Sequence, residues 1–123
     1  MTAEPHGLML CDDLMFTSKV TATARAVGVI VTAVRNVERL IALAETKPPS
    51  CVILDLHNTT LDLQVFMTSL REKCPTMPRV IAFGSHVDVE LLAAARQAGC
   101  DRVMPRSQFV KQLETGLKDW LSS

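Results

Sequence analysis

The feature that most constrains the fold is a regular alternation of short apolar runs with segments of helical period. Each run has the length and the aliphatic or β-branched content of a buried strand, and apolar residues at helical spacing follow it. Strands that alternate with helices pair in parallel, because each helix returns the chain to the same end of the sheet. The predicted strands cover residues 8–11, 29–34, 51–54, 79–83 and 102–104.

The length of the chain decides how such a parallel sheet is arranged. The chain has 123 residues, enough for one ordinary domain, whereas a closed eightfold barrel needs about 250. We therefore predict a single α/β domain over residues 1–123, with its core at about residues 8–121. The predicted architecture is a five-stranded, parallel, doubly wound sheet of flavodoxin-like order 2-1-3-4-5 with five helices. A hydrophobic fraction of 48% suits strands that are buried on both faces.

Capping residues mark the predicted helix boundaries. Asn36, Asp62 and Ser107 each precede a segment of helical period, and their side chains can accept a hydrogen bond from the first turn. Gly28 and Gly99 follow helical segments, at the position where a left-handed glycine commonly ends a helix. We therefore expect three helices to begin at the polar residues and the other two to end at the glycines.

Charge and cysteine usage exclude several classes of partner and compartment. Thirteen basic residues balance thirteen acidic ones, so no net positive field attracts nucleic acid or an anionic membrane. The first residues lack the pattern of a signal peptide, and no apolar run approaches a membrane span of about 20 residues. No C-x-x-C pair occurs, which predicts buried free thiols in a reducing compartment, the cytoplasm. The cysteines are Cys11, Cys51, Cys74 and Cys100.

Three aspartates follow two strands that are adjacent in the predicted sheet. Asp12 and Asp13 come directly after the first strand, and Asp55 comes directly after the third. In this strand order, ligands bind at the carboxyl ends of these strands. Clustered carboxylates repel one another unless a cation compensates them, and Mg²⁺ accepts one or two carboxylates while keeping several waters. We expect a Mg²⁺ site here; in the alternative interpretation the aspartates only cap a helix and start a loop.

A basic residue is expected at the same edge of the sheet. Arg106 follows the fifth strand, and a guanidinium binds a phosphoryl group or a carboxylate with two hydrogen bonds. An aspartate beside Mg²⁺ can itself accept a phosphoryl group, because the metal neutralises charge on the group being transferred. The pattern is therefore compatible with phosphoryl transfer at this edge of the sheet.

These motifs resemble the receiver domain of bacterial two-component response regulators, of the chemotaxis-receiver type. The resemblance covers about residues 8–121 and rests on Leu10-Cys11-Asp12-Asp13, Val52-Ile53-Leu54-Asp55-Leu56 and Ala98-Gly99-Cys100-Asp101. It implies that Asp55 is the phosphoacceptor, that Asp12 and Asp13 bind Mg²⁺, and that the His57 backbone carbonyl completes the cation site.

The resemblance also implies partners and the extent of any catalytic activity. A histidine kinase or a phosphotransfer protein would donate the phosphoryl group. The domain would not be an enzyme beyond its own autophosphorylation and autodephosphorylation. Helix 4, strand 5 and helix 5 would form the interface for a homodimer or an output partner.

Several positions depart from the pattern of the family. Receiver domains usually end strand 4 with Thr or Ser, whose hydroxyl bonds the phosphoryl group; here Gly84 stands at that position and the hydroxyl moves to Ser85. Arg106 replaces the usual lysine, and Val103 replaces the usual aromatic switch residue. The loop after Asp55 also lacks the usual Pro and Gly. These departures imply a weak conformational response to phosphorylation.

Two other functions stay open on the sequence. In a pseudo-receiver, Arg106 would pair permanently with Asp55, and the domain would bind a partner without being phosphorylated. In a small metal-dependent phosphohydrolase, His57 would have to serve as the general acid. His57 and His86 either influence water near the site or are solvated loop residues.

The environment of Trp120 also has two interpretations. The indole either folds back over the core or joins an exposed apolar strip that binds a partner. The strip would contain Val103, Met104, Trp120 and Leu121.

Overall fold

The computed structural model describes residues 5–122, in which five strands alternate with five helices. The elements are β1 (His6–Leu10), α1 (Leu14–Ala26), β2 (Ile30–Val34), α2 (Val37–Thr46), β3 (Cys51–Asp55), α3 (Leu63–Lys73), β4 (Arg79–Gly84), α4 (Val89–Gln97), β5 (Arg102–Pro105) and α5 (Arg106–Leu121). All five predicted strands are present. Their ends lie within two residues of the predicted ends, because backbone pairing with neighbouring strands decides where each strand begins and stops.

The strands form one parallel sheet in the predicted order β2-β1-β3-β4-β5. Leu10 at the end of β1 is in register with Leu54 of β3, and Asp55 is in register with Phe83 of β4. The carboxyl ends of β1, β3 and β4 therefore meet at one edge of the sheet. The three segments that follow these strands are brought together at that edge.

The two faces of the sheet belong to two separate cores, because successive side chains of a strand point to opposite faces. On one face, Leu10 and Leu54 pack with α2, α3 and α4. On the other face, Met9 and Ile53 pack with α1 and α5. All four side chains are fully buried. Helices on both faces explain why the central strands are apolar without alternation.

Helix capping follows the prediction at two of three positions. The Asn36 side chain accepts from the Arg39 N–H at 2.8 Å, and the Asp62 side chain accepts from the Val65 N–H at 3.3 Å. The prediction for Ser107 is wrong: the residue before α5 is Pro105, two positions earlier, and it provides no side-chain cap. The ring of a proline fixes φ, and a φ of −62° with an extended ψ suits the residue before a helix.

The two glycines predicted to end helices do so with left-handed backbones. Gly28 has φ +84° after α1, and Gly99 has φ +101° after α4. Beyond Gly28, the Val29 N–H bonds to the Ala24 carbonyl at 2.9 Å, which satisfies a carbonyl of the last turn.

The predicted exposed apolar strip is not present at the C-terminal end of the described chain. Trp120 is 2% exposed, and its indole stacks on the Phe109 ring with centroids 5.5 Å apart. Met104 and Leu121 are also buried, and Val103 is half-buried. The interpretation in which Trp120 covers the core is therefore correct.

The state of the cysteines and the length of the helices agree with what the sequence predicts. All four cysteines are free, three of them buried and Cys100 half-buried. Burial raises the pKa of the Cys51 thiol to about 12, so this thiol stays protonated in the fold at neutral pH. None of the helices formed within residues 5–122 combines the length and the apolar character needed to cross a membrane.

Candidate functional site

The Asp55 carboxylate ends β3 and is only 8% exposed. Its Oδ1 accepts a hydrogen bond from the His57 backbone N–H at 2.9 Å. Its Oδ2 accepts a weaker bond from the Cys11 Sγ at 3.5 Å. A buried carboxylate needs such donors to offset its lost hydration. The two donors also fix the orientation of the carboxylate, and Oδ2 keeps the greater capacity to bind a further partner.

Cys11 is a site residue that the sequence did not single out. It follows β1 directly, and since Leu10 lies beside Leu54, Cys11 lies next to Asp55. Burial is the main cause that raises the pKa of the Cys11 thiol, to about 11, and the nearby Asp55 charge adds to this effect. The protonated thiol can therefore act as a donor. The available signal was its position: both residues lie at the ends of adjacent parallel strands.

Asp13 has two structural partners at the start of α1. Its Oδ1 accepts from the Phe16 N–H at 3.1 Å and caps the helix, and its Oδ2 accepts from the Arg106 guanidinium at 3.3 Å. The Phe16 N–H and the Arg106 charge lower the pKa of this carboxyl. The interpretation of Asp13 as a helix cap is therefore correct. Its side chain is still 44% exposed, which leaves it accessible to a cation.

Arg106 does not form the ion pair expected for a pseudo-receiver. Its guanidinium pairs with Asp13 instead of Asp55, and it lies over the Phe16 ring at 4.1 Å from the centroid. Phe83 is also near, at 5.7 Å. The aromatic faces attract the cation and hold it on the α1 side of the edge. The predicted permanent Arg106–Asp55 pair is therefore wrong.

The predicted metal ligands can be compared with the chemistry that Mg²⁺ requires. Within residues 5–122, no three side chains of His, Cys, Asp or Glu are arranged to hold a metal ion together. A Mg²⁺ ion needs only one or two carboxylates, completed by carbonyl oxygens and water. Asp55 and the accessible Asp13 offer such carboxylates, and Asp12 is exposed beside them. The donor set therefore fits Mg²⁺, and the assignment of these residues and the His57 carbonyl stays a prediction.

A cavity of about 400 Å³ opens beside Asp55. Four of the predicted site residues line it together. They are Asp55, His57, Ser85 and Arg106. His86, Ser107 and Gly84 complete most of the remaining wall. Two imidazoles, a guanidinium and two hydroxyls around one carboxylate form an environment suited to an anion of phosphate size.

The His57 imidazole crosses from the β3 edge to the β4 edge of this cavity. Its Nε2 accepts a hydrogen bond from the Ser85 backbone N–H at 2.9 Å. A Cβ placed on Gly84 would lie 3.3 Å from the same Nε2. The histidine ring therefore lies directly beside the position that lacks the expected hydroxyl. The sequence offered no signal for this contact, which joins residues 28 positions apart.

The loop after Asp55 is held by a buried amide. Asn58 is 5% exposed, and its Nδ2 donates to the Arg35 carbonyl at 2.9 Å. Its Oδ1 accepts from the N–H and the hydroxyl of Thr60, and the Thr60 hydroxyl accepts from the Val37 N–H. These bonds join the loop to the start of α2. They restrain the loop, which has no Pro or Gly to do so.

The comparisons with known proteins give a consistent fold. No protein-family model matches the chain, and no curated protein matches it. The chain is similar in structure to the receiver domain of a sensor histidine kinase from Pseudomonas aeruginosa, with TM-score 0.79, 20% identity, and coverage of 98% of this chain and 100% of that chain. That structure has a magnesium ion coordinated in its active-site cleft.

Two further structures have the same fold. One is a response regulator from Burkholderia pseudomallei with a phosphorylated aspartic acid and a calcium ion, with TM-score 0.74, 16% identity, and coverage of 94% of this chain and 70% of that chain. The other is the receiver domain of a Saccharomyces cerevisiae response regulator, bound to a histidine phosphotransfer protein, with TM-score 0.79, 11% identity and coverage of 98% and 91%. The fold of this chain is therefore that of a response regulator receiver domain, as the resemblance implied.

Proposed function

We propose that this chain is a phosphorelay receiver domain, formed by residues 1–123, in which Asp55 accepts a phosphoryl group with Mg²⁺ as cofactor. The observation that carries this function is the buried Asp55 carboxylate, which the His57 N–H fixes at 2.9 Å beside a cavity of about 400 Å³. A fixed nucleophile next to a cavity with hydrogen-bond donors is poised for in-line transfer.

The proposed reaction transfers the phosphoryl group from a phosphohistidine of the donor protein. A carboxylate oxygen of Asp55 attacks phosphorus, and the new O–P bond forms as the P–N bond to the donor imidazole breaks. The imidazole leaves with the electron pair and takes up a proton. Mg²⁺, held by Asp12, Asp13, Asp55 and the His57 carbonyl, would neutralise charge on the transferring group. Arg106 and Ser85 line the cavity, and the guanidinium and the hydroxyl would bind the oxygens of the phosphoryl group.

The surroundings of the site suit a protein donor. Leu14 and Met15 follow the acidic pair and are 61% and 86% exposed, and Val87 and Val89 follow His86 and are 74% and 67% exposed. Exposed apolar side chains at the start of α1 and around the start of α4 suit a protein-binding surface. We propose that a histidine kinase or a phosphotransfer protein docks there, in the cytoplasm, where free thiols stay reduced. A homodimer or output partner would use α4, β5 and α5.

A non-phosphorylated interaction module is the second candidate. Gly84 and Val103 favour it, because neither can relay a phosphoryl group to a partner surface. Such a module would not depend on an Arg106–Asp55 ion pair, because Arg106 pairs with Asp13. The phosphohydrolase has less support, because the Nε2 of its required acid, His57, already accepts a hydrogen bond from Ser85.

Incubation with acetyl phosphate and Mg²⁺, followed by intact mass, tests the proposed function. We expect one Mg²⁺-dependent phosphoryl adduct on the parent and none on Asp55→Asn. Asp88→Asn, which changes a helix-capping carboxylate of α4, is the matched control and should keep the adduct. An adduct that persists in Asp55→Asn, or no adduct in the parent, would contradict the proposal. The hydrolase requires release of free phosphate over many turnovers, so an adduct that persists without such release would count against it.

A further inference from the structure

One residue bonds both to the Asp55 carboxylate and to the loop after β4. The His57 backbone N–H donates to Asp55 Oδ1 at 2.9 Å, and the His57 Nε2 accepts from the Ser85 N–H at 2.9 Å. Asp55, His57 and Ser85 line the same cavity. The ring therefore covers a backbone donor in the wall of the cavity where an anion bonded to Asp55 would lie.

Gly84 leaves space for this position of the ring, and its backbone does not itself require glycine. Among the described glycines, only Gly28 and Gly99 have positive φ, so the backbone of Gly84 would accept any residue. A Cβ on Gly84 would lie 3.3 Å from the His57 Nε2, closer than ordinary van der Waals contact. Its other neighbours, Leu56 and Leu92, would be at 3.5 Å, which is ordinary contact. The absence of a side chain at position 84 thus makes room for the imidazole.

The Ser85 N–H has a single proton to donate. A backbone N–H beside a guanidinium is a strong partner for an anionic oxygen, because such charge-assisted bonds are stronger than neutral ones. The imidazole and an anion therefore compete for the same proton. An anion gains this bond only when the ring leaves, and its apparent affinity falls in proportion to the fraction of molecules with the ring displaced.

We propose that the His57 imidazole is a built-in competitor for the anion site of this domain. It occupies the Ser85 N–H until a phosphoryl group on Asp55, or a free anion of the same shape, displaces it. This inference rests on the proposed function in naming the phosphoryl group as the ligand. It makes His57 a positioning residue that holds the unmodified state, with Gly84 as the residue that permits it.

Affinity for beryllofluoride in the presence of Mg²⁺ tests this role. We expect His57→Ala to bind about five- to tenfold more tightly than the parent, the effect of one competing hydrogen bond. Gly84→Ala should give a smaller gain in the same direction, because its Cβ presses on the ring at 3.3 Å and weakens the bond to the Ser85 N–H. The double variant should bind no more tightly than His57→Ala, since both changes act on the same contact. Thr59→Ala, an exposed change in the same loop, should match the parent.

A second probe separates this inference from the proposed function. Orthophosphate is titrated into each variant, and the Ser85 amide resonance is followed by NMR. If beryllofluoride binds no variant but orthophosphate moves this resonance at lower concentration in His57→Ala, the competitor role stands and the phosphoacceptor function falls. If His57→Ala and Gly84→Ala bind both probes no more tightly than the parent, the competitor role is wrong. His57→Leu, which has no side-chain acceptor for the Ser85 N–H, replaces His57→Ala if the latter fails to fold.

Discussion

Asn58 shows how a single side chain can determine the shape of a site loop. Only 5% of its surface is exposed. Its amide bonds to the Arg35 carbonyl and to both the N–H and the hydroxyl of Thr60. A buried polar group is tolerated only when it is bonded, and its partners then depend on it. Asn58 thus positions the backbone that follows Asp55 without touching the carboxylate itself.

Truncation of this amide should destabilise the whole domain. Asn58→Ala leaves the Arg35 carbonyl and the Thr60 N–H without their partner, and we expect the free energy of unfolding to fall by about 1–3 kcal/mol. Thr59→Ala, next to it and exposed, should change that free energy by less than about 0.5 kcal/mol. Urea denaturation of both variants measures the difference. Equal stabilities of the two variants would show that the loop does not depend on the Asn58 amide.

At the scale of elements, Asp13 and Arg106 join the start of α1 to the start of α5. The carboxylate caps α1 and pairs with the guanidinium, which also lies over the Phe16 ring. Both charged side chains are more than 40% exposed, so the ion pair itself contributes little to stability. Its effect is on position, because it holds the start of α5 beside the start of α1.

Helix α5 depends on a glycine in its interior. Gly116 lies under the indole of Trp120, and a Cβ at this position would be 2.5 Å from the Trp120 Cζ2. In an exposed helix, replacement of glycine by alanine stabilises by about 1 kcal/mol. Here the ring is packed against Phe109 and buried, so it has no free space into which to move.

Gly116→Ala should therefore destabilise the domain despite its better helix propensity. We expect a loss of about 1–3 kcal/mol in the free energy of unfolding, the usual cost of overpacking a core. Thr115→Ala, on the exposed side of the same helix, is the control and should be neutral or slightly stabilising. Thermal unfolding followed by circular dichroism compares them. A Gly116→Ala variant as stable as the control would mean that the indole can shift at no cost.

At the scale of the whole molecule, buried thiols make stability depend on alkaline pH. Burial raises the pKa values of Cys11 and Cys100 to about 11 and that of Cys51 to about 12, from an ordinary value of 9.0. Above pH 9 the unfolded chain loses these protons while the folded chain keeps them. The thiols therefore contribute stability that is complete below pH 9 and is lost as the pH rises through the folded-state pKa values.

We expect the free energy of unfolding to decrease between pH 9 and pH 11, the interval between the ordinary thiol pKa and the raised pKa values of Cys11 and Cys100. A variant with alanine at Cys11, Cys51 and Cys100 should show a shallower decrease, whatever its absolute stability, because the lysines common to both proteins titrate alike. Denaturant unfolding at several pH values gives the two slopes. Identical slopes would show that these thiols are not desolvated in the fold.

The sequence by itself determined the class of fold and the placement of the acidic residues. Apolar runs alternating with helical segments are enough to specify parallel strands, and chain length favours an open doubly wound sheet. The order 2-1-3-4-5 was predicted as a common order of such sheets, and it is the one observed. The positions of Asp12, Asp13 and Asp55 after β1 and β3 follow from those strands alone. The caps Asn36 and Asp62 were also predictable, because capping involves only residues three positions apart.

Only the tertiary structure decided which side chains meet at the site. The pairing of Arg106 with Asp13, the bond from Cys11 to Asp55 and the contact of His57 with Ser85 join residues 93, 44 and 28 positions apart. The Arg106 contact depends on the position of the Phe16 ring, the Cys11 contact on the register of β1 and β3, and the His57 contact on the space beside Gly84. Local patterns carry backbone preferences over a few residues, whereas these contacts depend on packing between separate strands and loops, which no local pattern specifies.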